Sequence, residues 1–143
     1  MSTQKISLQW KEGVHFESEG PGGMVPIDGS EEVGGQGKGL RPKALMLSAL
    51  AGCSGIDVAS LIKKMRIDID TFDIDVEAEL TEEHPKFYHK VWVTFNFYGD
   101  NLNEKKIEKA VSLSVDKYCG VMEMFRQFAT VETKINYLAS PTK

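Results

Sequence analysis

Between residues 44 and 62 the chain carries one charge, Asp57, and this apolar run constrains the fold more than any other feature. Pro42 suits the first turn of a helix, where a missing N–H costs nothing, and Lys63, Lys64 and Arg66 suit the negative end of the helix dipole. A lone membrane span with an Asp near its centre costs on the order of 3 kcal/mol on insertion scales. Gly52, Gly55 and interspersed serines dilute the run further, so it reads as a helix buried in protein rather than in lipid. Such a helix is about 35 Å long at about 1.5 Å per residue, and apolar nearly all round. A chain of 143 residues can hardly wrap it on every side, so a second subunit is expected to help.

That length is one ordinary domain, large enough for a real core. The formal charge of −4, with no basic stripe interleaved with aromatics, argues against a nucleic-acid or anionic-membrane partner. The first residues, Met1-Ser-Thr-Gln-Lys-Ile6, show no apolar h-region or cleavage pattern, which favours a cytoplasmic reading.

Hydrophobic period divides the rest. Phe72, Ile74, Val76, Ala78 and Leu80 alternate with Asp73, Asp75, Glu77 and Glu79, a strand with one wet face. After a turn at 82–86, residues 87–98 alternate again, with Phe87, His89, Val91, Val93, Phe95 and Phe97 on one face; the two runs read as an antiparallel hairpin. His89 is read as a hydrogen-bonded structural histidine on that mostly apolar face. A helix follows with Ile107, Ala110, Val111, Ser114, Val115 and Tyr118 at helical spacing and Asn101 or Asn103 as N-cap. Gly120 breaks the chain before a short helix over 121–127, and Val131, Thr133, Ile135 and Tyr137 alternate as a closing strand. Short strands over 6–10, 14–17 and 24–27 complete an α+β order: three strands, long helix, two strands, two helices, strand.

The two cysteines are the chemical signal. Cys53 lies inside the long helix and Cys119 between the two later helices, an arrangement suited to a pair in which one sulfur is oxidised and the other resolves it. Cys119 at a helix N-terminus invites a lowered thiol pKa. Free cysteine is also among the most commonly buried residues and acts as a small hydrophobe. Local spacing offers no zinc motif, with no C-x-x-C and with His15, His84 and His89 scattered, so neither a metal nor a cofactor is expected.

Residues 20–39 hold eight of the thirteen glycines. Gly35-Gln-Gly37-Lys-Gly39 lacks the G-K-[ST] ending and the G-x-G-x-x-G spacing of phosphate loops, so a mobile loop or lid is the reading. Lys38, Arg41 and Lys43 cluster at the positive end of the long helix, which calls for a negative group nearby.

The pattern Pro42-x-x-Leu45-x-Leu47-x-Ala49-Leu-x-Gly-Cys53-x-x-x-Asp57-Val, then Lys63-Lys-x-Arg66 and Lys117-Tyr-Cys119, resembles the OsmC/Ohr family of peroxide-handling proteins, and its less-studied OsmC-like branch in particular. The resemblance implies an intertwined homodimer with central long helices. It also implies a thiol peroxidase that reduces organic hydroperoxides to alcohols, with Cys53 peroxidatic, Cys119 resolving, and an external dithiol as reductant. The well-studied branch pairs an arginine of the N-terminal strands with a glutamate ten residues before the first cysteine. Here no arginine precedes Arg41, and Lys43 holds the glutamate position. Arg41, Lys43 and Arg126 are the candidate replacements, since a cation near a thiol favours its ionised form. Gly120 stands where family members often carry proline. Two other readings stay open: non-enzymatic binding of a small apolar or thiol ligand in an interfacial cavity, and two purely structural cysteines.

Overall fold

The computed structural model describes residues 1–141. Two compact units divide the chain, the first Met1–Met46 and the second beginning at Leu47.

In the first unit, β1 (Ser7–Glu12), β2 (His15–Gly20) and β3 (Gly23–Ile27) form an antiparallel meander in sequence order. The glycine-rich stretch beyond β3 is not the open lid that its composition suggests. It folds back around the Asp28 carboxylate, which is 2% exposed and accepts the backbone N–H groups of Gly29 at 2.8 Å, Gln36 at 2.9 Å and Lys38 at 3.0 Å. Gly34, at φ +97°, closes the 3₁₀ turn Glu31–Val33 in a left-handed conformation that glycine adopts without strain. Leu40 N–H then bonds the Pro26 carbonyl, which stitches the end of the loop to β3. The Lys38 ammonium meets Glu12 at 2.7 Å, a negative partner for one cation of the cluster before the long helix.

The long helix α1 runs Pro42–Lys64. It is long and apolar enough to cross a membrane by length and composition alone. Its stripe of Leu50, Ser54 and Val58, spaced four apart, is fully buried in the second unit. The remainder of the helix is not enclosed by its own chain: Ile56 is 71% exposed.

The second unit adds a three-stranded sheet of β4 (Thr71–Leu80), β5 (Tyr88–Tyr98) and β6 (Thr130–Leu138), with β5 central. β4 and β5 form the expected antiparallel hairpin, whereas β6 lies parallel to β5. A parallel return needs a crossover, and α2 (Glu104–Leu113), a π-helical turn (Ser114–Tyr118) and α3 (Gly120–Arg126) supply it. Asn103 Oδ1 caps α2 by accepting the Lys106 N–H at 3.2 Å. Val91, Val93, Phe95 and Phe97 of β5 are fully buried with Ile107, Ala110 and Met122. Each such large side chain contributes about 1.5–3 kcal/mol of burial energy.

The face assignments of His89 and Phe87 fail at a register shift, and Phe87, just before β5, is 47% exposed. Glu79 pairs with Lys90 but Leu80 pairs with Tyr88, so His89 sits opposite nothing and turns outward, while Tyr88 takes the buried position. His89 is a hydrogen-bonded histidine all the same, with Nε2 2.8 Å from Glu79 Oε1, but it is not on the apolar face.

The Asp28 knot is directly testable. The amides of Lys38 and Gln36, with that of Gly29, hold its carboxyl below the ordinary carboxylate range against the opposing effect of burial. Its ordering effect is therefore present above the usual Asp pKa and is lost as pH falls through the depressed folded value. Asp28→Ala is expected to speed hydrogen exchange at the Gln36 and Lys38 amides roughly five- to tenfold at neutral pH. Unchanged protection at both amides would contradict the assignment.

Candidate functional site

The second unit brings together residues that sequence separates widely. Cys53 and Asp57 are four apart on α1 and so share one face of it. Cys119 arrives from the far end of the crossover. α2 does not end cleanly before it: the Cys119 N–H bonds the Ser114 carbonyl at 2.8 Å, five residues back, so the extra residue of the π turn resets the phase of the chain just before the cysteine. Cys119 then leaves the helical region (φ −76°, ψ 101°) and acts as the N-cap of α3, its sulfur accepting the Met122 N–H at 3.3 Å. Gly120 is the first residue of α3, the position at which proline is also well tolerated.

The Cys53 sulfur, the Cys119 sulfur and an Asp57 carboxylate oxygen all lie within 4.8 Å of one another. Both thiols are free; Cys53 is half-buried and Cys119 is 4% exposed. Two serines complete the cluster. The Ser54 hydroxyl donates to Cys119 Sγ at 3.3 Å. The Ser114 hydroxyl, with a single proton, faces Asp57 Oδ2 at 3.1 Å and the Ser54 carbonyl at 3.3 Å. Both serines are fully buried, so these contacts are where their hydroxyls find partners.

The Cys119 thiol titrates above its ordinary value, the reverse of what a helix N-terminus alone suggests. Burial is the largest cause; the Ser54 and Met122 hydrogen bonds oppose it, and the neighbouring Cys53 adds to it. α3 has seven residues, and its dipole end does not offset desolvation of a thiolate. Among the described residues, none of the groups acting on this thiol is a cation.

Of the candidate cations, Arg41 and Lys43 belong to the first unit, Arg41 just before α1 and Lys43 in its first turn. Arg126 is in the second unit, where its Nη1 donates to the Val115 carbonyl at 2.8 Å and its Nη2 stands 3.6 Å from Asp116. It thereby fastens α3 to the π turn.

Asp57, Ser54 and Ser114 carried no functional assignment from sequence. Asp57 had a usable signal, because a lone acid in an apolar helix needs a partner and lies one turn from a cysteine. Ser114 had none, since its role depends on the π turn meeting α1 at Ser54 and Asp57.

The profile of the OsmC-like protein family matches residues 35–134. Protein YhfA of Escherichia coli (strain K12) is 29% identical over 134 residues, which span 93% of this chain and 97% of that protein. Among solved structures, a hypothetical protein from Aquifex aeolicus VF5 superposes with a TM-score of 0.85 at 27% identity, covering 99% of this chain and all of that one. The organic hydroperoxide resistance protein OsmC from Legionella pneumophila shares the fold, with a TM-score of 0.69 at 17% identity over 95% of this chain and 98% of that one. With the family profile covering well over half of its length, this chain belongs to the OsmC-like protein family.

Proposed function

We propose that this protein reduces organic hydroperoxides by a two-cysteine cycle in which Cys53 attacks the peroxide and Cys119 resolves the product. The observation that carries the reading is a half-buried and a buried thiol, both free, with sulfurs within 4.8 Å. A disulfide bond is about 2.05 Å long, so the sulfurs need to approach by less than about 3 Å. The fold shared with the Legionella organic hydroperoxide resistance protein supports the same chemistry.

In the first step the Cys53 thiolate attacks the distal peroxide oxygen. A sulfur–oxygen bond forms, the oxygen–oxygen bond breaks, and the departing alkoxide takes the proton that the thiol gave up and leaves as an alcohol. The sulfur has lost two electrons to the peroxide and is a sulfenic acid. The Cys119 thiolate then attacks it; the sulfur–sulfur bond forms and hydroxide leaves, taking a proton to become water. An external dithiol restores both thiols by exchange. Cys53 is itself partly buried against the hydrophobic core, surroundings that favour an alkyl peroxide over hydrogen peroxide.

The same reading includes a homodimer. Ile56, Tyr118 and Met124 leave 71%, 52% and 64% of their surfaces in water in the single chain, apolar area that a second copy would cover. Light scattering is expected to give about twice 15.9 kDa at micromolar concentration; a stable monomer would remove the dimer from the account.

One observation favours a second reading, a non-catalytic binder of a thiol or apolar ligand: no arginine precedes Arg41, and Lys43 stands where the well-studied branch carries its glutamate. Peroxide kinetics separate the two. Cumene hydroperoxide should consume both thiols faster than hydrogen peroxide does and leave one Cys53–Cys119 disulfide per chain, seen by intact-mass spectrometry. Cys53→Ser should leave the buried Cys119 nearly unreactive, while Cys119→Ser should react once and proceed to sulfinic acid under excess peroxide. Equal reactivity of the two variants contradicts the assigned order, and slow, unselective thiol loss in the wild type favours the binder.

The elevated Cys119 pKa fixes a pH dependence for the second step. At neutral pH the resolving sulfur is mostly protonated, so disulfide closure should accelerate by about tenfold per pH unit and keep rising past the ordinary thiol value. Ser54→Ala removes a donor that favours the thiolate and should move this limb further to alkaline pH. Closure that is independent of pH between 6 and about 9 would overturn the assignment of Cys119 as the buried resolving thiol.

A further inference from the structure

We propose that Cys53, Asp57 and Cys119 together form a three-ligand site for a thiophilic divalent cation, with zinc the ion its donors suit. Two sulfurs and one carboxylate oxygen are a borderline-soft set that favours zinc over magnesium or calcium, which take oxygen donors. The three donor atoms lie within 4.8 Å of one another, and tetrahedral zinc holds sulfur and oxygen ligands about 3.5–3.8 Å apart. A contraction of about 1 Å therefore converts the cluster into a coordination sphere. Half-buried Cys53 is the less enclosed of the two sulfur donors.

The local architecture is that of a supported site. Cys53 and Asp57 project from one face of a 23-residue helix, and Cys119 is fixed at a helix cap, so all three donors stand on rigid elements. Two of the three donors already have a group behind them. Ser114 orients the Asp57 carboxylate at 3.1 Å, and Ser54 and the Met122 amide hold the Cys119 sulfur at 3.3 Å each, the kind of outer contact that positions metal ligands. With three ligands from the chain, the fourth position stays open to water or to an exchangeable ligand.

Local spacing misses such a site because its donors come from a helical turn and a cap that follows 62 residues after Asp57. The inference does not rest on the peroxidase reading, since it needs only reduced thiols. The two states exclude each other: a disulfide between Cys53 and Cys119 leaves no thiolate to coordinate, and coordination keeps both sulfurs reduced.

The test uses the full reduced chain, freed of metal by a chelator and then dialysed. Zinc is titrated in competition with a chromophoric chelator, and cobalt(II) is added in parallel as a spectroscopic probe. One ion per chain is expected, with a thiolate-to-cobalt charge-transfer band in the near ultraviolet and the intense visible bands of four-coordinate cobalt. Cys53→Ser and Cys119→Ser should each remove about half of the charge-transfer intensity, and Asp57→Asn should weaken zinc by at least tenfold while keeping the sulfur band. Ser114→Ala, which touches the carboxylate and not the ion, should weaken zinc by roughly tenfold without altering the cobalt spectrum, and it keeps the test open if Asp57→Asn folds poorly. Peroxide-oxidised protein should bind no ion. A cobalt spectrum without the charge-transfer band overturns the site. So does zinc affinity unchanged in Asp57→Asn and Ser114→Ala, or equal binding by the oxidised chain.

Discussion

The contact on which the site depends is the hydroxyl of Ser54 on the sulfur of Cys119, 3.3 Å across a sequence separation of 65 residues. It forms because the buried stripe of α1 has a serine between Leu50 and Val58, and a hydroxyl placed in a core must find a partner. The partner is a thiol, delivered there by a helix that lengthens by a π turn before it ends. Ser114, at the start of that turn, closes the arrangement by facing both the Ser54 carbonyl and Asp57. The polar groups thus lock α1 to the α2–α3 junction at one register, and that register sets the distance between the two sulfurs.

The cluster holds opposing tendencies in balance. Burial of Cys119 and its proximity to Cys53 disfavour the thiolate, while two hydrogen bonds favour it. A buried thiol is slow to meet a peroxide in solution, yet it is within 4.8 Å of a half-buried one that is not. In the proposed cycle this division gives each sulfur a distinct task without a difference in residue type. An Asp57 carboxylate oxygen lies within 4.8 Å of both sulfurs.

Much of the fold was legible because strong periodicity survives packing. The alternation over β4, the helical spacing of Ile107, Ala110 and Val111, and the apolar run of α1 all led to the elements observed. His89 was misplaced because one shift in pairing between Glu79 and Leu80 turns a side chain to the other face, and nothing local announces it. The parallel pairing of β6 was equally hidden, since alternation is the same in either direction. In the glycine-rich stretch, composition suggested mobility, but a single buried carboxylate collects three amides and orders the loop. The two cysteines were found as residues and their neighbours were not. Asp57 was visible as an anomaly in the helix, whereas Ser114 acquires its part only when the π turn meets α1.

The most direct test of the central claim, that the Cys53–Cys119 pair carries out one complete reduction, is the yield of alcohol in a single turnover without added reductant. Reduced protein in excess over cumene hydroperoxide should release one molecule of cumyl alcohol for each disulfide formed, with two thiols lost per alcohol. Thiol loss without alcohol, or alcohol formed while both thiols remain titratable, would contradict the account.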